Sequence, residues 1–289
     1  MKYNIFMENI MKNFFWYIGL AVIGVIIICF VLYKKKNILN VCSFFLSAIS
    51  LAYICEVVIL FVFDAYQYRP NLFTNPVAED IVGHLICNGL FWGGFILLVS
   101  VFSLRYYWIL TISGFFMFIE FLFLRLDIYS QNWWKTYMTG IAVVIYMTIS
   151  KKWFYKIFNQ HSKLLRNLTF YLILWLILIG PSLVLLILGR QHYGIGLFDN
   201  YYLDNIYLSV PYHMVLSLIL LIFLNLKSPY WKITPFVIVL VSNLILSSVS
   251  ILTFYNGWNV FYLTQLQFLC LEFYILLEKH ALKSGFQVH

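Results

Sequence analysis

"FFWYIGLAVIGVIIICFVLYKKK", residues 14 to 36, is a run of twenty uncharged and mostly apolar residues closed by three lysines. The hydrocarbon core of a bilayer takes about 20 such residues as one helix, and runs of the same kind recur to the far end of the chain. No stretch between them is long enough for a soluble domain. The chain is 63% hydrophobic, with 11 acidic and 19 basic side chains among 289 residues, far below the roughly 25% charged content of soluble domains. We expect one integral membrane domain over residues 1–289, all-α, a polytopic transmembrane helical bundle. Lys2 and Lys12 ahead of the first run resemble the start of a secretory signal. The run is too long for that, lacks a small-x-small cleavage site and ends in Lys34, Lys35 and Lys36, which predicts a retained first helix.

Nine spans follow from the apolar runs, at about 14 to 33, 41 to 63, 81 to 103, 107 to 125, 136 to 150, 168 to 189, 207 to 226, 233 to 254 and 258 to 277. The fifth is short and is expected to extend into its polar flanks. Basic loops resist translocation. One set of connections holds thirteen basic residues, among them Lys34 to Lys36, Lys151, Lys152, Lys156, Lys227, Lys232, Lys279 and Lys283; the opposite set holds six, Lys2, Lys12, Arg69, Arg125, Lys135 and Arg190. The first set is expected in the cytoplasm, with the N-terminus outside and the C-terminus inside. The net charge of +8 is scattered between spans, so it reads as a topology signal and not as a nucleic-acid surface. Cys29, Cys42, Cys55, Cys87 and Cys270 lie in or beside apolar runs without paired spacing, as buried thiols do.

Two outer connections share a pattern, Leu72-Phe73-Thr74-Asn75 and Leu197-Phe198-Asp199-Asn200. Tyr107-Trp108 parallels Tyr230-Trp231, "YSQNWWKTY" from Tyr129 parallels "YNGWNVFY" from Tyr255, and His84 parallels His213, all at similar offsets. We read a tandem parallel repeat: an extra N-terminal helix in 1–40, a first four-helix unit in 41–152, a second in 153–280, and a cytoplasmic tail in 281–289. Parallel repeats are related by an axis near the membrane normal, and the interface between them is where transporters often place a substrate.

A charge inside a span costs about 2.5–3.5 kcal/mol at the helix centre and marks a functional hypothesis. In the first unit such residues are Glu56, His84 and Glu120, the last inside "FMFIEFLFLRLDIYSQNWWKTY", residues 116–137. Counted from Asp64, Asp80 and Asp127 at the outer ends, their depths are about 12, 6 and 10 Å. Asp80, His84, Asn88 and Trp92 repeat every fourth residue, and Ser113, Glu120 and Asp127 every seventh, so each set makes one polar stripe. Arg125 lies about 140° around the helix from Glu120, which makes Glu56 and His84 the better partners. In the second unit Pro181 falls opposite Glu56 at an offset of 125, His213 follows Pro211, and Asn243 falls opposite Glu120 only at the offset of 123 set by the aromatic pair. Glu56, His84, Asn88, Glu120, Asp127, His213 and Asn243 are the candidate ligand-binding residues, for a small polar ligand or a proton. The same groups would also serve as interhelical hydrogen bonds with no further role. The rings of the outer loops read as an interfacial belt.

Templates for catalysis are missing: no His-Glu-x-x-His, no Gly-x-Ser-x-Gly and no Gly-Lys-Ser/Thr loop occurs. "HLICN", residues 84–88, matches the His-x-x-x-Asn element of glutamate-type intramembrane CAAX proteases without the accompanying Glu-Glu-x-x-x-Arg. Lycopene-cyclase-like membrane domains carry a Pro-x-Glu-Glu element absent here, and a retinal protein would need a mid-span lysine in its last helix. "IEFLFLRLDIYSQNWWKTYMTGI" (119–141), "SKKWF" (150–154) and "YNGWN" (255–259) resemble an uncharacterised group of small polytopic membrane proteins of Bacillus-like spore-forming bacteria, over most of residues 40 to 277. The resemblance implies a bacterial cytoplasmic (inner) membrane location and transfers no site residue. The expectation is a transporter-like or small-ligand-binding multi-pass protein of the cell membrane with an outward-facing polar site, with no cofactor, no metal and the lipid bilayer as its partner. A membrane enzyme acting on a lipid and a structural or assembly subunit stand as alternatives.

Overall fold

A computed structural model of the chain describes residues 2–226 and 232–282, side chains of residues 2–12 excepted. Lys227, Tyr230, Trp231 and Lys283, used above for topology and repeat, lie outside the described residues. Among the described residues the helices fall into nine rods. They are α1 (Lys2–Lys34); α2 (Ile38–Glu56) with a π-helical extension Val57–Val62; α3 (Pro76–His84), a π-helical stretch Leu85–Trp92 and α4 (Gly93–Val101) in one rod; α5 (Tyr106–Arg125); α6 (Thr136–Phe158); α7 (Lys163–Ile187); α8 (Tyr201–Leu224); α9 (Thr234–Ser248); and α10 (Val260–His280). The all-α bundle is as the apolar runs imply. Seven rods have the length and apolarity of a membrane span; α6, with Lys151, Lys152 and Lys156 in its last turns, and α9, with 15 residues, fall short of it. The third and seventh rods, opened by α3 and α8, begin about five residues earlier than hydropathy predicts. Asn75 and Asn200 cap them, each side-chain oxygen accepting two first-turn N–H groups, as short polar side chains do at helix starts.

Four short strands are the feature hydropathy does not show: β1 (Tyr66–Tyr68), β2 (Tyr129–Gln131), β3 (Gln191–Tyr193) and β4 (Leu252–Phe254). β1 pairs antiparallel with β2, Tyr66 facing Gln131 and Tyr68 facing Tyr129; β3 pairs with β4, Gln191 facing Phe254 and Tyr193 facing Leu252. Each strand follows a helix that is stopped by one left-handed residue: Asp64, Asp127, Gly189 and Ser250, at φ between 47° and 61°. Such a residue at the C-terminal end turns the chain out of the helix.

The chain divides into two compact units, the first running to Arg166 and taking in Leu282, the second from Asn167 to Ala281. In the first, α1 is an integral part and not an appendage. Gly24 and Gly94 meet backbone to backbone, and a Cβ on Gly24 would run into the Leu90 carbonyl. The Tyr17 hydroxyl donates to the Ile128 carbonyl at 2.7 Å and accepts from the Arg69 amide at 3.2 Å, which ties α1 to the strand pair. In the second, α7 continues through Pro181 and α8 through Pro211.

Backbone contact of this kind tolerates no side chain, so Gly24→Val should lower stability in detergent by about 1–3 kcal/mol. Gly114, whose missing Cβ faces open space, is the control: Gly114→Ala should stay within about 0.5 kcal/mol of the parent. Thermal unfolding of both variants measures this, and an unperturbed Gly24→Val would contradict the α1 packing.

Candidate functional site

The site of the first unit starts from two acidic residues in the first turn of α3 that sequence reasoning undervalued. Glu79 accepts the amides of Asn71, Leu72 and Phe73, and Asp80 accepts the Tyr68 amide at 2.7 Å. Charged acceptors of this kind are strong hydrogen-bond partners. Together they wrap the connection ahead of α3 around its own start and hold β1 at a fixed height. Because residues alternate along a strand, Tyr66 and Tyr68 then share one face, and cross-strand pairing puts Gln131 and Tyr129 on that same face.

This face meets the carboxylates. Tyr66 and Tyr68 donate to Glu56 Oε1 at 2.6 and 3.0 Å, and Gln131 donates to Glu120 Oε1 and to Thr136 Oγ1 at 3.1 Å. His84 Nδ1 lies 3.9 Å from Glu56 Oε1 and 3.0 Å from Asn88 Nδ2. With Nδ1 accepting from Asn88 the ring is neutral; with Nδ1 protonated it pairs with Glu56. Glu56 is the last residue of α2 and His84 the last of α3 before the backbone widens into π-helix, a departure often found at functional sites. The His84 ring lies against Tyr53, centroids 4.5 Å apart. Gly83 and Gly89 on either side of it leave room for Tyr68 and for the Tyr53 hydroxyl.

Glu56, Asn88 and Glu120 line a cavity of about 320 Å³ within the first unit, whose remaining wall is mainly aromatic and aliphatic. Ligand sites have this make-up, apolar walls with a few convergent polar groups. The Trp92 indole N–H, on the same wall, finds no acceptor among the described residues. Cys55 and Cys87 also face the cavity, and no three His, Cys, Asp or Glu side chains among the described residues come together as metal ligands.

The candidate residues separate. Glu56 and Glu120 share the cavity, with Asn88 beside them and His84 behind Glu56. Asp127 stands apart: it terminates α5 at φ 56° and pairs with Arg69 at 3.0 Å, its side chain 87% exposed. Arg125 turns away from Glu120, as its helical phase implies, and lies over the Phe121 ring at 5.1 Å. Ser113, in the same expected stripe, donates to the Gly140 carbonyl and joins α5 to α6. The rings of Tyr66, Tyr68 and Tyr129 do not form the expected interfacial belt; they are buried or half-buried and pack edge-on or tilted against one another, centroids 5.3–5.7 Å apart. The alternation in "YQY" was the signal available for this.

His213 and Asn243 belong to the interior of the second unit. His213 Nδ1 donates to the Ser209 carbonyl at 2.7 Å and its Nε2 lies 3.5 Å from Ser182 Oγ. Asn243 donates to Thr264 and Gln267 at 3.0 and 2.7 Å. The loop device of the first unit recurs there: Asp204 accepts the amides of Gly196 and Leu197, and Asn205 accepts the Tyr193 amide at 2.7 Å. Comparison of the chain with protein-family models, with curated proteins and with solved structures found no match.

Burial first, and then the neighbouring carboxylates, push the hydroxyls of Tyr66 and Tyr68 well above the ordinary phenol range, and the same causes act on Tyr129. A group that holds its proton more tightly when folded stabilises the fold below its unfolded pKa and loses that contribution as pH rises. The three should therefore remain phenols at about pH 11 while stability falls above about pH 10. Tyrosinate absorbance of the parent and of a Tyr66→Phe/Tyr68→Phe/Tyr129→Phe variant should coincide there; a difference worth three tyrosinates would contradict the buried cluster.

Proposed function

We propose that this multi-pass membrane protein binds a small ligand in the cavity of its first unit, in the manner of a transporter-like protein, and that the cavity is reached from the outer side. One observation carries the reading. Glu120 is 8% exposed, lies within an apolar helix and on a cavity wall, and has no cationic side chain within ion-pair distance among the described residues. A charge placed so expensively faces protein or water for a reason, and hydrogen bonding between helices needs no full carboxylate. Glu56 favours the structural alternative in part, since His84, Tyr66 and Tyr68 already satisfy it and it joins α2 to α3 and β1.

The distribution of lysine and arginine supports an N-terminus outside and a C-terminus in the cytoplasm, and the likeness to the Bacillus-like group supports a bacterial cytoplasmic membrane. The recurrence of capping asparagine, loop-binding carboxylate and strand-binding Asp or Asn supports a tandem origin of the two units.

Cysteine accessibility in intact cells tests the reading. In an otherwise cysteine-free chain, a membrane-impermeant thiol reagent should label Leu72→Cys and native Cys87 from outside and leave Lys156→Cys unlabelled. Filling the cavity with Ala142→Trp should remove most of the Cys87 labelling without touching that at position 72. Labelling of Cys87 only after the membrane is opened, or equal labelling at positions 72 and 156, would sink the outward-facing site.

A further inference from the structure

The walls of the cavity are unbalanced in charge. They hold two carboxylates and no lysine or arginine, and only one carboxylate has a titratable partner, Glu56 with His84 at 3.9 Å. The donors at Glu120 are neutral, Gln131 foremost. Arg125, on the same helix, lies over the Phe121 ring at 5.1 Å, and Arg69 pairs with Asp127 at 3.0 Å. An ion taken out of water without a counter-charge costs several kcal/mol, so Glu120 is a place where a cation is missing from the protein itself.

The second unit shows that the framework does not need this charge. Asn243, opposite Glu120 at the offset of 123, donates to the neutral Thr264 and Gln267 side chains, while its own Oδ1 finds no donor among the described residues. At this place the helices of the second unit are joined by neutral side chains, with no carboxylate. Around it the wall is built of rings: Phe116, Phe123, Tyr129 and Trp134. A carboxylate among aromatic faces is how proteins hold an ammonium, through the ion pair and through the ring quadrupoles. An anion would meet two like charges, and a polyhydroxylated neutral ligand would find too few polar groups for its hydroxyls.

We propose that the ligand of this cavity is an organic cation, an ammonium carried on an aromatic or other apolar body, with Glu120 as its counter-ion. The assignment rests on the reading of the cavity as a ligand site and goes beyond it in naming the chemical class. The ring system lies against the apolar wall, and the ammonium points to the Glu120 carboxylate, with Glu56 held in reserve by its tyrosines and His84.

A matched series separates the possibilities, measured on the full-length protein in nanodiscs at neutral pH: naphthylmethylammonium, naphthylmethyl alcohol and naphthoate. Binding is read by quenching of tryptophan fluorescence, since Trp92 and Trp134 face the cavity, and by protection of Cys87 from a thiol reagent. The ammonium should bind on the order of tenfold more tightly than the alcohol, and naphthoate should not bind. Glu120→Gln should abolish the preference for the ammonium while leaving alcohol binding unchanged; should that variant not fold, the order of affinities in the native chain decides alone. Equal or tighter binding of the alcohol, or an ammonium preference that survives Glu120→Gln, would overturn the cation assignment and leave the cavity reading standing. If none of the three binds and Cys87 reacts equally with and without them, both fall.

Discussion

Where a membrane helix ends near its neighbours, its backbone amides have little water to turn to, and each must find an acceptor in the protein. In this chain that constraint is met by short acidic and amide side chains at the starts of α3 and α8. Glu79 gathers three consecutive amides and Asp80 a fourth; Asp204 and Asn205 do the same work with three. The site of the first unit depends on this arrangement, because the amide that Asp80 holds belongs to Tyr68. Fixing it places β1, and β1 brings two hydroxyls to one carboxylate oxygen.

The two units use the same hydrogen-bonding device at the starts of α3 and α8 and differ in their interiors. The first keeps two carboxylates, widens two helices into π-turns beside Glu56 and His84, and leaves a cavity. The interior of the second unit instead joins its helices through His213, whose Nδ1 donates to the Ser209 carbonyl, and Asn243, which donates to Thr264 and Gln267. A neutral polar network suffices to hold helices together, so the carboxylates of the first unit are the feature on which the proposed ligand site rests. His213 also shifts meaning here. Both it and His84 bond to a residue four positions away on their own helix, His84 to Asn88 ahead of it and His213 to the Ser209 carbonyl behind it.

Much of the architecture was legible in residue types alone. Apolar runs locate the nine rods seen among the described residues, but only seven of them reach the length and apolarity that a helix in hydrocarbon needs. Helical phase turned Arg125 away from Glu120 and put Asn88 and Trp92 on one stripe, because directions around a helix axis follow from position alone. Phase says nothing about which neighbour a stripe meets. Asp127 shares the phase of Glu120 yet sits past the last helical turn, in a left-handed conformation that sends its side chain to the surface and to Arg69. The tyrosines of "YQY" carried the period-2 signal of a strand, but three residues between turns are too few to separate a strand from an interfacial loop by composition.

What the sequence by itself determined is therefore the membrane bundle, its nine rods and the presence of ionisable groups at similar depth in the first unit. The tertiary structure alone decided that Glu56 and Glu120 face one cavity, that His84 stands behind and not in it, and that a pair of strands supplies its donors. The physical reason is that burial and helical period act through neighbours along the chain, whereas the convergence of α2, α3, α5 and two strands depends on pairings such as Tyr68 with Tyr129, between segments whose composition carries no record of one another.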